Sequence, residues 1–251
     1  NLTSIYLGHL EGDRAGATSA SGFIEALRFL DGVAVFIHAD LQKVLSPRVL
    51  GYAHQEFLQK APLQQKDPIQ CGIIVELEKL LLRKSDTVQI CILGQLLWCF
   101  HSASRWSDSL KLQKVTLEKS RDVTLVIGEA LGSKTSVTKE AKTRLIPYVG
   151  IGTGISGLQW AETWLDARVS EFGRDPDPFL PSYSCRTGRW ATTPMSSTEA
   201  CGYLQDMVSE CLLTMDPIPK VELKNLGTHS LKTGLLTMAA RATLVKFSMA
   251  E

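Results

Sequence analysis

Apolar side chains recur at helical spacing through the first half of the chain. In residues 20–30 they fall every three or four positions, which predicts an amphipathic helix. Ser46 and Pro47 are residue types typical of an N-cap and a first helical position, so a second helix is predicted to begin there. A polar, Gln-rich stretch at 61–68, bracketed by Ala-Pro and Asp-Pro, follows this helix, and we interpret it as a linker.

The pattern changes from helix to strand in the middle of the chain. Helical spacing resumes at Ile69 and stops after Lys119. Residues 122–127 are rich in β-branched side chains, and residues 143–149 have the same character. A curled β-hairpin or a three-stranded sheet is therefore predicted here.

Helices return toward the C-terminus. Residues 158–172 read as an amphipathic helix, and Ser196 with Glu199 has the spacing of a capping box that opens another. The proline-rich stretch 174–194 between them is interpreted as loop. Thr228 is a candidate cap for a last helix.

The order of these elements predicts a mostly α protein with a small β-sheet, which belongs to the α+β class. A chain of 251 residues with 44% hydrophobic residues is long enough for two domains. We predict a helical N-terminal domain at residues 1–66 and a second domain at residues 67–251.

Charge changes this picture only locally. The net charge of +1 is a mild argument against a dedicated nucleic-acid-binding domain, because such domains are often strongly basic. However, residues 105–144 contain nine Lys and Arg against five Asp and Glu, whereas residues 160–178 contain two against five. The basic middle is compatible with a phosphate-facing surface, although a solvated polar face gives the same pattern.

The cysteines and the apolar runs limit the other classes of site. None of the six cysteines has C-x-x-C spacing and no His follows a Cys pair at zinc-finger distance, so we expect no metal site and no cofactor. Several of the cysteines fall in apolar runs, which favours a reducing, intracellular compartment. If the cell is eukaryotic, the expected compartment is the nucleus. The longest apolar run is far shorter than the roughly 20 residues of a membrane span, so we expect no membrane partner.

Arg105 is the first candidate functional residue. It follows an apolar helix and precedes Trp106-Ser107-Asp108, where a new helical turn can begin. At such a junction the planar guanidinium can point at a phosphate and donate two parallel hydrogen bonds. The alternative is a surface ion pair with Asp108 at i, i+3, which would contribute only about 0.2–0.5 kcal/mol.

His229 and Lys232 form a second candidate pair. On a helix, positions i and i+3 share a face, so both side chains can reach one ligand. Leu231, Leu235 and Met238 are then predicted to face inward. The alternative for His229 is a hydrogen bond to a nearby carbonyl at the helix entry.

Three separated segments resemble the tyrosine recombinases, which are DNA strand-exchange enzymes of the phage-integrase type. The segments are residues 100–110 around Arg105, Lys134-Thr135-Ser136, and Gly227-Thr228-His229-Ser230-Leu231-Lys232-Thr233-Gly234. The sequence of these segments is similar to that of divergent recombinase-like proteins of eukaryotic mobile elements. The resemblance covers the chain from about residue 20 and implies a DNA breaking-rejoining catalytic core at 67–251, preceded by a core-binding-like domain at 1–66.

The resemblance also implies roles for individual residues. Those expected to surround a phosphodiester are Arg105, Lys134, His229 and Lys232. Lys134, in the turn of the predicted hairpin, would protonate the leaving 5′ oxygen as a general acid. Lys139 and Lys142 lie in the same segment and are alternatives for that role.

The sequence departs from the family pattern at two places. Lys232 stands where the family has a second Arg, and a Lys keeps the charge but loses the bidentate fork that stabilises a pentavalent phosphate. No Tyr, Trp or His follows His229, so the nucleophilic Tyr of the family is absent and the catalytic domain is expected to be C-terminally incomplete. The expected function is therefore DNA binding in recombination or integration without strand cleavage. The expected partner is double-stranded DNA, with possible assembly of homo-oligomers on it.

Two alternatives remain. One is a non-catalytic DNA- or protein-interaction module on the same fold. The other is a dinucleotide site, because Gly152, Gly154 and Gly157 match G-x-G-x-x-G between a strand and a helix. Pro147 within the preceding strand and the absence of a predicted strand after the helix argue against the dinucleotide site.

Overall fold

The structure is a computed structural model that describes residues 2–12, 19–34, 44–59, 66–121, 123–132 and 143–248. It divides the chain into two compact units, residues 1–65 and residues 66–251. Within these described ranges, no helix combines the length and the apolar character that crossing a bilayer requires.

The first unit is helical. Its described helices are α1 (Leu2–Gly12), α2 (Ser19–Ala34) and α3 (Pro47–Gln59). A small apolar core holds them together, made of Leu7, Ala20, Ile24, Leu45, Val49 and Ala53. The helices predicted at 20–30 and from Pro47 are confirmed, whereas α1 was not predicted.

The second unit combines helices with two small antiparallel sheets, which is the α+β class. Its elements are α4 (Cys71–Arg83), α5 (Thr87–His101), α6 (Trp106–Ser109), β1 (Leu112–Lys119), β2 (Thr124–Leu131), β3 (Leu145–Ile151), α7 (Trp160–Phe172), β4 (Pro181–Ser184), β5 (Arg189–Pro194), α8 (Ser197–Leu212) and α9 (Thr228–Ser248), with a 3₁₀ turn at Leu223–Asn225.

Helix α5 is the centre of this unit. Asp86 caps it by accepting a hydrogen bond of 2.9 Å from the Val88 amide, and every residue from Ile90 to His101 is buried. A helix that is apolar all round must be surrounded by other elements. Buried side chains from α4, α7, α8 and α9 form one continuous core with it, so the ends of α5 are fixed in position.

The larger sheet has the order β1-β2-β3 with both pairs antiparallel. Strands β2 and β3 agree with the predicted pair of strands, and the predicted three-stranded alternative is the one observed. The prediction that helical spacing extends to Lys119 is wrong for Leu112–Lys119, which forms strand β1. Most residues of β1 are polar and exposed, so the strand carries only a weak apolar alternation.

A second hairpin, β4–β5, corrects the interpretation of residues 174–194 as loop. Pro181 and Pro194 pair with each other at the open end of this two-stranded ribbon. Proline is tolerated at such ends because no central ladder needs its missing N–H, so prolines here mark strand limits.

The start of α8 confirms the predicted capping box. Ser196 Oγ accepts from the Glu199 amide at 3.1 Å, and Glu199 Oε2 accepts from the Ser196 amide at 2.8 Å. Thr228 is the first residue of α9, and its hydroxyl lies 2.9 Å from that of Ser197. The starts of α8 and α9 are therefore joined directly.

Candidate functional site

Arg105, His229 and Lys232 lie on the wall of one surface cavity of about 490 Å³, which we call the Arg105 cavity. The other residues on its wall are Trp106, Ser107, Leu110, Pro194, Met195, Ser196, Ser197 and Thr228. Among the described residues, no carboxylate lines it. The structure thus brings together three of the four residues that the sequence singled out, and the cavity is cationic.

The fourth residue, Lys134, lies outside the described residues. Lys139 and Lys142, the alternatives for the same role, lie in the same segment and are likewise outside them. The flanking strands β2 and β3 are described, and they pair from Leu131 with Leu145 down to Leu125 with Ile151.

Arg105 occupies the N-cap position of α6, with an extended backbone at φ −80° and ψ 150°. Its side chain is 41% exposed, and Nη1 lies 3.8 Å from Asp108 Oδ2. The i, i+3 ion pair therefore exists, but it is longer than a hydrogen bond. Within the described residues the guanidinium makes no hydrogen bond, so its N–H groups remain available to a ligand in the cavity.

Asp108 lies buried beneath Arg105. Its Oδ2 accepts a hydrogen bond of 3.4 Å from the Tyr148 hydroxyl, and its Oδ1 has no partner within the described residues. Burial, and then the charge of Asp108, raises the pKa of the Tyr148 phenol, so Tyr148 acts here as a protonated donor. The carboxylate attracts Arg105 from below and favours its place at the cavity wall.

Helices α8 and α9 both begin at the cavity, through Ser196, Ser197, Thr228 and His229. Unpaired amides at a helix start carry a partial positive charge and favour anions. At α8 the capping box already uses two amides, and hydrogen bonds from Ser182 and then Ser196 lower the pKa of Glu199.

The start of α9 is held by neighbouring backbone. The Gly227 amide donates to Ser230 Oγ at 3.1 Å, and the Ile69 amide donates to the Ser230 carbonyl at 3.1 Å. Leu231 is fully buried, and Leu235 and Met238 pack against the core, as predicted. Since these residues define the inner face, His229 is exposed and Lys232 is half-buried on the cavity side.

The glycine-rich loop at Gly152–Gly157 binds an anion that belongs to the protein itself. The Ile155 amide donates to Glu78 Oε1 at 2.9 Å, and the Ser156 amide donates to Glu78 Oε2 at 2.7 Å. Gly154 has φ +70°, and a Cβ there would lie 2.7 Å from the Glu78 carboxyl carbon. These two amides are therefore occupied, and the preceding sheet is antiparallel, so the structure does not support the dinucleotide interpretation.

Glu78 is fully buried and also contacts His101, whose Nε2 lies 2.8 Å from its Oε1. Burial by itself raises the pKa of this carboxyl. Hydrogen bonds from His101, Ser156 and Ile155 outweigh it, and the pKa ends below its usual value. Glu78 is therefore ionised at neutral pH and fixes the loop that leads into α7.

A second cavity of about 640 Å³ lies between the segment at 66–70 and the segment at 220–226. Asp67, Lys220 and Glu222 on its wall carry both signs of charge, and Asn225 donates to Asp67 Oδ2 at 3.3 Å. A mixed wall of this kind is a poorer match for a phosphate than the Arg105 cavity. No group of His, Cys, Asp and Glu suited to a metal ion occurs among the residues that the structure describes.

Sequence reasoning missed the part of the wall that comes from Met195, Ser196 and Ser197. The sequence feature that could have indicated it is the capping box of Ser196 and Glu199, because a capping box marks a helix start and a helix start can bind an anion. The spacing of residues gave no sign that this start lies beside α9. No model of a known protein family matches the chain, and no curated protein is significantly similar to it in sequence.

Proposed function

We propose that this protein binds the phosphate backbone of double-stranded DNA at the Arg105 cavity, as a tyrosine-recombinase-like protein of DNA recombination or integration. The observation that supports the proposal best is the meeting of Arg105, His229 and Lys232 on one wall that contains no carboxylate among its described residues. These three residues come from two distant segments of the chain. They carry the donor types that a phosphodiester requires.

Each residue offers a different contact to a phosphate. The Arg105 fork can donate to two non-bridging oxygens at once, whereas the Lys232 ammonium acts as a point charge. His229 adds a ring N–H, and the α9 start adds a partial positive charge. Together they hold an anion from several sides, which favours a bound phosphate over a freely exchanging counterion.

Strand cleavage by this family requires a phenol close to the phosphate. Within the described residues no tyrosine lines the cavity. Tyr148 donates to Asp108, Tyr203 lies 3.5 Å from Cys185 Sγ, and Tyr183 packs on Trp190. The proposed activity of these residues is therefore binding of the phosphodiester without formation of a phosphotyrosine.

The proposal is tested by the salt dependence of binding to a fluorescently labelled DNA duplex, followed by anisotropy between about 50 and about 200 mM salt. The slope of log K against log salt is negative, and loss of one phosphate contact reduces its magnitude by about 0.9. We expect R105A and K232A each to show such a loss. K220A is the matched control, because Lys220 is an exposed cation on the wall of the other cavity.

An unchanged affinity and slope in both R105A and K232A would refute the role of the cavity. Circular dichroism of each variant shows whether the fold is intact. Arg105 is partly exposed and Lys232 is half-buried, so neither truncation removes a core contact.

A protein-interaction module is the second candidate, and one surface favours it. Leu145, Val149 and Ile151 alternate along the edge strand β3 and are 46%, 50% and 47% exposed, so they form an apolar face on the sheet. Sedimentation of the chain without DNA tests this candidate. Self-association that V149D abolishes, together with no DNA binding at low salt, would favour it over DNA binding.

A further inference from the structure

We propose that the β4–β5 hairpin is a second DNA-backbone contact, in which Arg186 and Arg189 at its tip bind phosphates beyond those at the Arg105 cavity. This inference rests on the proposed DNA-binding function. It assigns a role to a ribbon that contributes little to the core: of the six residues of β5, only Trp190 is half-buried, and the others are exposed.

The tip presents two arginines on a closed turn. The Thr187 and Gly188 amides donate to the Ser184 carbonyl at 3.1 Å and 2.8 Å, and Gly188 has φ +64°, which glycine adopts without strain. Arg186 and Arg189 are both exposed, and within the described residues neither forms an ion pair. Their guanidinium groups are thus free to bind phosphate oxygens.

Trp190 anchors the middle of the hairpin to α7. Its Nε1 donates to Glu171 Oε1 at 2.8 Å, and its ring centroid lies 5.0 Å from those of both Phe172 and Tyr183. A two-stranded ribbon is marginally stable on its own, so these contacts are what hold it in place. Arg189, directly before Trp190, and Arg186 in the adjoining turn are therefore presented by a supported ribbon, which lowers the entropic cost of binding.

The base of the hairpin is part of the Arg105 cavity. Strand β5 ends at Pro194, and Pro194, Met195 and Ser196 all line the cavity wall. Met195 is bound from two sides, because its amide donates to the Leu180 carbonyl at 3.1 Å and its carbonyl accepts from Trp106 Nε1 at 3.0 Å. The tip is thus tied through β5 to the segment that carries Arg105.

The length of β5 sets the separation between the two proposed contacts. At about 3.3 Å per residue, Arg189 lies about 17 Å along the strand from Pro194. The grooves of B-DNA are about 6 Å and about 12 Å wide, so a duplex with one phosphate in the cavity has further backbone within that reach. A contact to the same duplex from both sites is therefore compatible with the geometry.

Two carboxylates that contact the hairpin, Glu171 and Glu199, are bound to other groups. Glu171 accepts from Trp190 and from the Thr87 hydroxyl at 2.6 Å, and Glu199 accepts from the Ser182 hydroxyl and caps α8. Both are bound at the middle or the base of the hairpin. Arg186 and Arg189, which are exposed and form no ion pair among the described residues, therefore keep the tip cationic.

The test compares R186A/R189A with wild-type protein in the duplex-binding assay across the same salt range. We expect the magnitude of the negative slope of log K against log salt to decrease by about 1.8, because two phosphate contacts of about 0.9 each are lost. R186K/R189K keeps both charges and is expected to restore most of the slope. R83A/K220A is the matched control, since it removes two exposed cations elsewhere in the second unit.

The outcomes separate this inference from the proposed function. If R105A weakens binding and R186A/R189A does not, the hairpin contact is refuted while the cavity stands. If R186A/R189A reduces the magnitude of the salt slope and R105A does not, DNA is held at the hairpin and the cavity proposal fails. An equal fall in R83A/K220A would show that only net charge matters, and this result would overturn the hairpin contact.

Two further results would also overturn the assignment to DNA. Wild-type protein that binds no duplex at low salt refutes both proposals. Equal affinity for poly-glutamate, lost in R186A/R189A, would assign the tip to acidic peptides instead.

Discussion

The indole Nε1 of Trp106 donates a hydrogen bond of 3.0 Å to the carbonyl oxygen of Met195. Trp106 follows Arg105 directly, and Met195 directly precedes the capping box of α8. Both residues line the Arg105 cavity. One buried hydrogen bond therefore ties the segment that carries Arg105 to the segment that leads into α8 at the same cavity.

W106F tests this link. The substitution removes the donor and leaves the buried Met195 carbonyl without it, which costs about 1–3 kcal/mol of unfolding free energy. We expect the affinity for duplex DNA to fall as well, because Arg105 and the start of α8 lose this connection. Urea unfolding and anisotropy measure the two effects.

W98F is the matched control for this change. Trp98 is fully buried, and its Nε1 has no hydrogen-bond partner within the described residues. W98F therefore removes the same side-chain volume as W106F but removes no hydrogen bond. If W98F weakened DNA binding as much as W106F, the link between Trp106 and Met195 would not be the cause.

Gly154 and Gly157 offer a second matched comparison. Both have a positive φ, +70° and +79°, so Ala is strained at either position. A Cβ at Gly154 would meet the Glu78 carboxyl, whereas a Cβ at Gly157 meets nothing within 4 Å. We expect G154A to lower the unfolding free energy by about 1–3 kcal/mol more than G157A, as overpacking does. Equal losses in urea unfolding would contradict the close fit of Glu78 in the loop.

Glu78 gives a pH prediction. Hydrogen bonds hold the pKa of its carboxyl below the usual value, so its stabilising contribution is present at neutral pH and lost as pH falls through that lowered pKa. E78Q replaces one acceptor oxygen with an amide that cannot accept from the loop, and we expect a loss of about 1–3 kcal/mol at neutral pH because a loop amide loses its acceptor.

The difference in unfolding free energy between wild type and E78Q should therefore shrink as pH is lowered from about 7 toward about 3. Urea unfolding at several pH values measures it. E118Q, at an exposed glutamate of β1, is the control and should show little difference at any pH. A difference between wild type and E78Q that stays constant with pH would mean that the charge of Glu78 is not what the loop binds.

K232R tests the phosphate geometry of the Arg105 cavity. Arginine keeps the charge of Lys232 and adds a planar fork that can donate two hydrogen bonds to one phosphate. We expect duplex affinity to rise by about tenfold, or about 1.4 kcal/mol, while the salt slope stays unchanged because the number of neutralised phosphates is the same. K220R should change neither quantity, and a K232R variant with no gain in affinity would count against a phosphate at this position.

Several elements were predictable because their signals are local. The capping box of Ser196 and Glu199 involves residues three positions apart, and both of its hydrogen bonds are present. The inner face of α9 followed from the spacing of Leu231, Leu235 and Met238. Strand β1 was missed because exposed polar residues on a sheet surface leave little apolar alternation to detect.

The glycine-rich loop shows where a local signal misleads. The pattern at Gly152, Gly154 and Gly157 indicates backbone amides that can bind an anion, and the amides of this loop do bind one. The anion is the carboxylate of Glu78 on α4, far away in sequence, and it replaces the pyrophosphate that the pattern favours. No spacing rule connects these positions, because the contact exists only after α4 and α7 have packed on α5.

Residue spacing by itself determined most of the helices (though not α1), the strand pair β2–β3 and which face of α9 points outward, since each depends on neighbours within a few positions. The tertiary structure alone decided that Arg105 shares a cavity with His229 and Lys232 and that the starts of α8 and α9 meet there. The physical reason is that burial of α5 on all sides fixes the ends of the surrounding elements together. Side chains far apart along the chain thereby become neighbours through packing that no local pattern encodes.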